Sequence, residues 1–148
     1  MNTLHVQYEI SDDPTRVDFD RVHAWLITTY WAAGRSRDRI ERSARNSALV
    51  VGAYLNDLQV GFLRVVSDRV TFAWIADVYV DEAHRKQGLA KAMVRFALAH
   101  PDFHELKQWV LGTRDAHAVY AECRFVPHPM KENFMQLRPA GPDGTPFT

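Results

Sequence analysis

A short segment in the middle of the chain, Arg85-Lys86-Gln87-Gly88-Leu89-Ala90, has residue types that suit an anion-binding helix start. The first turn of a helix leaves about four backbone N–H groups without intrahelical partners, and the macrodipole adds roughly half a positive charge there. Gly88 and Ala90 have no bulky side chain to keep phosphate oxygens from those N–H groups, and Arg85 and Lys86 add positive charge. The segment therefore predicts a site for a diphosphate-bearing ligand.

Three strand-like runs lead up to this segment. Residues 49–55 and 58–66 flank Asn56-Asp57, a pair that tolerates positive φ and so favours a tight hairpin. Residues 67–69 turn the chain into residues 70–80, which are rich in β-branched and aromatic side chains. Because the links are short, we expect the three strands to be antiparallel neighbours.

Apolar periodicity predicts the elements that precede these strands. Residues 4–10 alternate between apolar and polar types, which is typical of a half-buried strand. From Asp18 the apolar residues recur at helical spacing, with Gly34 as a candidate stop. Ser36 can cap a second helix that continues to Asn46.

The candidate anion site is followed by a further helix, a strand, a helix and a strand. Residues 88–100 have a helical apolar face, and Pro101 prevents that helix from continuing. Residues 106–112 predict a fifth strand, and a short helix capped by Thr113 or Asp115 continues through Glu122. Residues 133–137 predict a last strand.

This order of elements predicts an α+β fold with a mixed, mostly antiparallel sheet of about six or seven strands flanked by about four helices. The helix between the fourth and fifth strands makes that one pair parallel. We expect one domain over residues 1–138 and a loose tail, rich in Pro and Gly, over residues 139–148.

Composition excludes several classes of protein. The 148 residues carry 18 basic and 18 acidic side chains, and this zero balance argues against coating nucleic acid or an anionic membrane. The single cysteine, Cys123, predicts a small buried apolar role, without a disulfide or a paired-cysteine zinc site. Pro101 separates His100 from His104, so we expect no metal. With no signal peptide and no membrane-length apolar run, the sequence predicts a cytoplasmic protein.

The segment Arg85-x-x-Gly88-x-Ala90 after a strand resembles the signature of the GNAT acetyltransferase superfamily, which is Arg or Gln, two residues, Gly, one residue, then Gly or Ala. A second resemblance follows, since Ala116, Tyr120 and Phe125 match the family's C-terminal signature. Two positions depart from the pattern: Arg124 replaces the usual Gly and Thr113 replaces a common Asn. In element order the resemblance extends over residues 3–138.

The resemblance implies a GNAT-like fold and acetyl-CoA as cosubstrate. In the family, the pantetheine arm pairs with the backbone of the strand before the loop, here Val78 and Val80, and lies where the fourth and fifth strands splay apart. The pyrophosphate would contact Arg85, Lys86, Gln87, Gly88, Leu89 and Ala90. The implied function is N-acetylation of a primary amine on a small molecule or peptide. The alternative is a non-catalytic acyl-CoA-binding or sensing module, and a longer acyl group is a third reading.

The resemblance also implies catalytic roles. Tyr120 matches the tyrosine that protonates the leaving thiolate, although it could instead be a core aromatic. The backbone N–H of Val78 is the implied oxyanion donor. Asp77 interrupts an apolar strand just before the loop, so it is a candidate base; a structural carboxylate bonded to backbone or an Arg is an equal alternative. Glu122, His84 and His117 are weaker base candidates.

The acceptor amine is the feature of the predicted reaction that the sequence determines least. Five arginines lie close together near the family's acceptor cleft, which suits an acceptor with a carboxylate or phosphate, although a solvated helix face is the commoner explanation. They are Arg35, Arg37, Arg39, Arg42 and Arg45. We expect Tyr30 to pack into the core and leave the role of Trp31 open. The resemblance also implies that homodimers are frequent.

Overall fold

The computed structural model describes residues 7–141. They form an α+β protein with one five-stranded sheet made of β1 (Tyr8–Ser11), β2 (Leu49–Leu55), β3 (Leu58–Ser67), β4 (Ala73–Val80) and β5 (Trp109–Val110). Four α-helices flank the sheet, namely α1 (Phe19–Leu26), α2 (Arg37–Arg45), α3 (Leu89–Leu98) and α4 (His117–Ala121). Single turns of 3-10 helix lie at Pro14–Arg16, Glu82–His84, Pro101–Phe103 and Lys131–Asn133. The predicted fold class and helix number are confirmed, but the strands are fewer than expected.

The strands lie in the order β1-β2-β3-β4-β5. All neighbours are antiparallel except β4 and β5, which are parallel and joined through α3, as predicted. Asn56 has a φ of 54° in the tight turn between β2 and β3, which confirms the predicted hairpin. The parallel ladder is short: Ala73 pairs with Trp109 and Trp74 with Val110, and the pairing then ends. The two strands therefore separate beyond Trp74.

Apolar side chains cover both faces of the sheet. One cluster lies between the sheet and α3, and includes Leu63, Met93 and Val94. A second lies between the sheet and the first two helices, and includes Val22 and Ile40. Since both faces are covered, the centre of the sheet is a rigid support for the edge where β4 leaves β5.

A β-bulge at Asp77 changes the direction of β4 at that edge. Ala76 pairs with Arg64 and Tyr79 with Phe62, so two β4 residues oppose a single β3 residue between these pairs. Asp77 has a φ of 57°, an uncommon value for a residue other than glycine. Bulges of this kind bend a strand and redirect its side chains. The bulge thus lies just beyond the part of β4 that pairs with β5.

Helix α1 is shorter than expected, because it ends at Leu26 rather than near Gly34. The hydroxyls of Thr28 and Thr29 donate to the carbonyl oxygens of Trp25 and Leu26, both at 2.6 Å. Hydroxyls that bond nearby carbonyls in this way compete with helix continuation. The chain after Leu26 is consequently a loop.

The predicted last strand at residues 133–137 is wrong. Lys131–Asn133 is a 3-10 turn, and residues 134–139 have no regular structure, with Met135 98% exposed. A strand needs a neighbouring edge for its backbone groups, which period-two alternation alone does not supply. Strand β5 is also shorter than the predicted residues 106–112. Residues 4–6 of the predicted first strand and residues 142–148 of the predicted tail lie outside the described residues, and the domain boundary at residue 138 stays a prediction.

Candidate active site

Beyond Trp74, the edge of β4 that faces β5 has no strand partner among residues 7–141. The N–H of Asp81 donates to the carbonyl of Val60 in β3 at 2.8 Å. Since backbone groups alternate sides along a strand, those of Val78 and Val80 face away from β3. Both residues line a cavity of about 1160 Å³. An extended chain lying in this cavity could therefore bond the backbone of β4.

The loop between β4 and α3 bounds the same cavity. It turns through two residues with positive φ, Lys86 at 64° and Gly88 at 76°. Among residues 7–141, no backbone or side-chain atom accepts a hydrogen bond from the N–H groups of residues 86–91. A Cβ at Gly88 would meet no heavy atom within 4 Å, so the space beside it is open. These N–H groups form a candidate anion site at the start of α3.

Most of the cofactor residues implied by the sequence lie together around this cavity. Its lining includes Val78, Val80, Arg85, Lys86, Gly88, Leu89 and Ala90, whereas Gln87 does not line it. The Nε of Arg85 donates to the carbonyl of Val80 at 3.0 Å, and its guanidinium lies 5.2 Å from the Tyr79 ring centroid. Arg85 thus holds the loop against the end of β4 while its remaining N–H groups stay available for an anion.

Tyr120, on α4, also lines the cavity. Burial raises the pKa of its hydroxyl to about 12, and the neighbouring Tyr30, Cys123 and Asp115 raise it further in the same direction. The hydroxyl is therefore protonated at neutral pH. Tyr120 also lines two adjoining cavities, so its ring is not simply a core aromatic.

Asp77 is buried and fully engaged by its neighbours. Its side chain is 3% exposed. Oδ1 accepts from the indole Nε1 of Trp31 at 3.0 Å, while Oδ2 accepts from Nη1 of Arg35 at 2.8 Å and from Nε of Arg64 at 2.7 Å. These partners match the structural alternative for this carboxylate, in which it is bonded to arginine.

A second cavity, of about 410 Å³, lies beside the first and contains the Asp77 cluster at its wall. The cavities share six lining residues: Tyr30, Trp31, Val78, Asp115, Ala116 and Tyr120. The smaller cavity has aromatic walls formed by Tyr30, Trp31 and Trp74. We call the larger one the coenzyme groove and the smaller one the acceptor cleft. A ligand group in the groove can therefore contact a ligand group in the cleft beside Val78 and Tyr120.

The clustered arginines divide into two sets. Arg35 lines the acceptor cleft, as one of the two sequence alternatives requires. Arg37, Arg42 and Arg45 instead pair with acidic side chains on or near α2, namely Asp20, Asp38 and Glu41, as a solvated helix face does. Arg39 is exposed as well, so a solvated helix face accounts for four of the five arginines, and only Arg35 lines the cleft.

Tyr30 does not pack in the core as the sequence suggested, since it is 47% exposed. The early end of α1 places it on a loop instead of a helix face. Its hydroxyl accepts from the backbone N–H of Arg114 at 3.0 Å, and the Arg114 guanidinium lies 3.8 Å from its ring centroid. Tyr30 thus bridges the loop after α1 and the loop before α4.

Sequence reasoning missed several residues of the cleft. Arg64 is one of them, and a charged residue inside the apolar run of β3 was the available signal. Asp115 was considered only as a helix cap, but it lines both cavities, and α4 has no side-chain cap. For Trp74 the sequence predicted a position in a strand but did not indicate a role in the cleft.

The remaining candidates have other surroundings. Glu122 pairs with Lys91, and Nδ1 of His84 bonds the Tyr8 hydroxyl at 2.9 Å. His117 lines a third cavity outside the groove and the cleft. Cys123 is buried against the core, which confirms its predicted packing role. No three potential metal-binding side chains cluster within residues 7–141.

Comparison with protein families gives one match, to the acetyltransferase (GNAT) family over residues 7–125. A solved structure from Xanthomonas campestris pv. campestris, assigned to the GNAT acetyltransferases, is 34% identical with a TM-score of 0.84, covering 88% of this chain and 92% of that one. No match was found among curated protein sequences. Every helix in the described chain is too short or too polar to span a bilayer.

More distant structures share the fold alone. Ribosomal-protein-alanine N-acetyltransferase from Brucella melitensis biovar Abortus 2308 is 16% identical with a TM-score of 0.62, covering 88% of this chain and 99% of that one. Glucosamine-6-phosphate N-acetyltransferase from Arabidopsis thaliana is 14% identical with a TM-score of 0.61, covering 88% and 98%. Their names include a protein acceptor and a sugar acceptor, so the fold does not by itself specify the amine.

Proposed function

The chain belongs to the GNAT acetyltransferase family, and we propose that it transfers the acetyl group of acetyl-CoA to a primary amine of a small molecule or peptide. The observation that carries this proposal is the run of N–H groups at residues 86–91, which find no acceptor within the described chain and border the coenzyme groove. A diphosphate is the ligand that suits such a run.

The groove would supply partners for the pyrophosphate and the pantetheine arm of the coenzyme. The pyrophosphate would accept from the N–H groups of residues 86–91, with positive charge from Arg85 and Lys86. The amides of the pantetheine arm would bond the free backbone edge at Val78 and Val80, as an added strand does. The carbonyl of Val80 already accepts from Arg85, but a carbonyl oxygen has two lone pairs and can accept a second donor.

The acyl transfer would take place where the groove meets the cleft. The amine nitrogen attacks the thioester carbon, the C–N bond forms, and the C–S bond breaks to release the thiolate. The backbone N–H of Val78 would stabilise the negative charge that develops on the carbonyl oxygen. The amine loses one proton and the thiolate gains one, so the net products are an amide and a thiol.

Tyr120 would assist departure of the sulfur as a hydrogen-bond donor. With its pKa raised to about 12, the phenol keeps its proton at neutral pH. A thiol has a pKa of about 8.5, so complete transfer of the phenolic proton to the thiolate is unfavourable. A hydrogen bond from the phenol can nevertheless stabilise the leaving group, and this is consistent with a modest catalytic contribution.

Asp77 stays a predicted base, but its contacts support a positioning role. The two arginines donate to Oδ2 and Trp31 donates to Oδ1, so three of the roughly four acceptor sites of the carboxylate are occupied. We propose that Asp77 holds Trp31, Arg35 and Arg64 in place along the wall of the cleft. Proximity of amine and thioester would then contribute much of the rate.

The test measures coenzyme binding and thiol release separately. Calorimetry with CoA reports on the groove, and a thiol-reactive dye reports on turnover of acetyl-CoA across a panel of primary amines. Amine-dependent thiol release, with the N-acetylated product seen by mass spectrometry, would support the proposal. Binding without release on any amine would favour the acyl-CoA-binding module, and folded protein that binds no CoA at millimolar concentration would contradict both.

A further inference from the structure

The Asp77 cluster places more positive than negative charge on one wall of the acceptor cleft. Arg35 and Arg64 both donate to the same oxygen of Asp77, so two guanidinium groups share a single carboxylate. The side chains of Arg35 and Arg64 are 21% and 16% exposed, and both line the cleft. This wall therefore carries one net positive charge in a partly desolvated place, where charge pairs are stronger than in water.

The two guanidinium groups also have unused donors. Arg35 uses only Nη1, while Arg64 uses Nε, together with Nη1 toward the Ser47 hydroxyl at 3.4 Å. Within the described chain, the Nη2 atoms of both arginines donate to no acceptor. Planar groups that still hold N–H donors match the geometry of a carboxylate.

The part of the cleft that adjoins the coenzyme groove carries negative charge. Asp115 is exposed and lines both the cleft and the coenzyme groove, beside Ala116 and Tyr120. Its carboxylate makes no ion pair or hydrogen bond with another side chain in residues 7–141. A free carboxylate at the junction of the two cavities can accept hydrogen bonds from an amine that approaches the thioester.

The lining of the cleft also includes three aromatic side chains. Tyr30, Trp31 and Trp74 line it, and all three are exposed to solvent over a substantial part of their surface. The ring of Trp31 is fixed by its bond to Asp77, and Tyr30 by its bond to Arg114. Fixed aromatic walls favour an acceptor with an apolar body, because covering them removes apolar area from water.

We propose that the acceptor is a small amino carboxylate with an apolar side chain, as in an apolar α-amino acid. Its carboxylate faces Arg35 and Arg64, its amine lies near Asp115 and Val78, and its apolar body lies against the aromatic walls. The volume of about 410 Å³ is at the small end of ligand sites, which suits a single small molecule. This proposal names the substrate class of the proposed function and rests on it.

The proposal distinguishes this acceptor from amines that lack a carboxylate. A diamine would bring a second positive charge against the arginine wall, and like charges there repel. A monoamine without a carboxylate would leave the arginine donors with water alone. Charge-assisted hydrogen bonds contribute enough to give a preference of at least about tenfold in kcat/KM.

The experiment compares amines that differ only in the carboxylate. Phenylalanine is paired with phenethylamine and tryptophan with tryptamine, and thiol release from acetyl-CoA gives kcat/KM for each. We expect the carboxylated member to be favoured at least tenfold, mainly through KM. Arg35→Met is expected to reduce that preference to about threefold or less, and Arg35→Lys to retain part of it. Arg37→Met, on the exposed helix surface, is the matched control and should leave the preference unchanged.

Each result has a defined meaning. Equal kcat/KM values, or a preference for the decarboxylated amines, would overturn the proposal, while the thiol release itself would still support N-acetyl transfer. If neither member of a pair is turned over, calorimetry on the CoA-bound protein replaces kinetics. The proposal is then overturned if the amino acid binds no more tightly than the amine that lacks the carboxylate. Failure of CoA to bind would instead be a failure of the proposed function. Thermal unfolding of each variant shows whether Arg35→Met remains folded; if it does not, Arg35→Lys decides.

Discussion

The coenzyme groove and the acceptor cleft adjoin, yet they are built from different kinds of atoms. The groove presents backbone groups, namely the free edge of β4 and the N–H groups of residues 86–91. The cleft presents side chains that converge from distant positions, with Trp31, Arg35 and Arg64 all on Asp77. One region therefore depends on chain conformation and the other on residue identity.

This difference explains why the two regions differ in how far their function can be inferred. A backbone site needs only a suitable conformation, so a few small residues and one turn are sufficient to describe it. A side-chain site needs several residues at once, and Trp31 and Asp77 are 46 positions apart in the sequence. The bulge at Asp77 joins the two, because this residue lies on the stretch of β4 beyond its pairing with β5 and also holds the wall of the cleft.

Gly88→Val is expected to have the largest effect, and only on the groove. A β-branched residue at a φ of 76° is a conformational outlier, so the loop must shift and the row of N–H groups with it. We expect the Kd for CoA, measured by calorimetry, to rise about 100-fold. Gly112→Ala is the matched control in the cleft, where a Cβ would meet Trp74 at an ordinary 3.7 Å, and it should leave that Kd unchanged. A Kd for Gly88→Val within twofold of the unaltered chain would contradict the backbone site.

Asp77→Asn is expected to damage the cleft while sparing the groove. It removes the buried charge that two arginines share, so we expect about 3 kcal/mol less stability and roughly 30-fold lower kcat/KM through the KM of the amine. The Kd for CoA should stay the same. Asp20→Asn, which breaks an exposed pair with Arg37, is the control and should change stability by less than about 0.5 kcal/mol.

The pH profile of Asp77→Asn separates the two roles of this carboxylate. A positioning role leaves the ascending limb of kcat against pH in place, because the group that titrates is elsewhere. A base role requires that limb to shift or disappear. Loss of the limb would therefore favour the base.

Tyr120→Phe tests the junction of the two regions, with an intermediate effect. Removing the hydroxyl should lower kcat about tenfold and leave the Kd for CoA unchanged. The pKa raised to about 12 keeps the phenol protonated in the folded state, so kcat should show no loss from Tyr120 ionisation between pH 7 and 10. Unchanged kcat in the variant would exclude a role for the hydroxyl.

Tyr54→Phe is the matched control for Tyr120, because burial also raises the pKa of Tyr54 to about 12 and its hydroxyl has no hydrogen-bond partner in the described part of the chain. In the unfolded chain both phenols ionise near pH 10. The stability that each contributes is thus present below pH 10 and is lost as pH rises toward 12. In thermal unfolding, each variant should therefore lose less stability than the unaltered chain as pH rises from about 10 toward 12. Only Tyr120→Phe should also change kcat.

Trp31→Phe is expected to have the smallest effect. It keeps an aromatic ring in the cleft and removes one of the three donors to Asp77, which retains both arginines. We expect the KM for the amine to rise about threefold, with kcat unchanged. Trp74→Phe is the control for stability, since the Trp74 indole N–H bonds no other residue in residues 7–141. An equal loss of stability in both variants would argue against the bond to Asp77.

Much of the fold and the groove could be predicted because their signals are local. Asp18 and Ser36 each accept from a backbone N–H three residues later and begin α1 and α2 as expected. The predicted turn at Asn56 and the predicted parallel strand pair connected through α3 are also confirmed. The predicted end of α1 at Gly34 is wrong, because the hydroxyls of Thr28 and Thr29 end the helix earlier in the chain.

The sequence by itself determined the order of the elements from β1 to α4, the α3 loop and the short motifs that resemble the family's, since each depends on residues within a few positions of one another. Only the tertiary structure decided that Arg35 and Arg64 meet at Asp77, that Tyr30 faces a cleft instead of the core, and that residues 133–137 form no strand. The physical reason is that burial, ion pairing and strand pairing depend on which distant residues come together, and local periodicity carries no information about that partner.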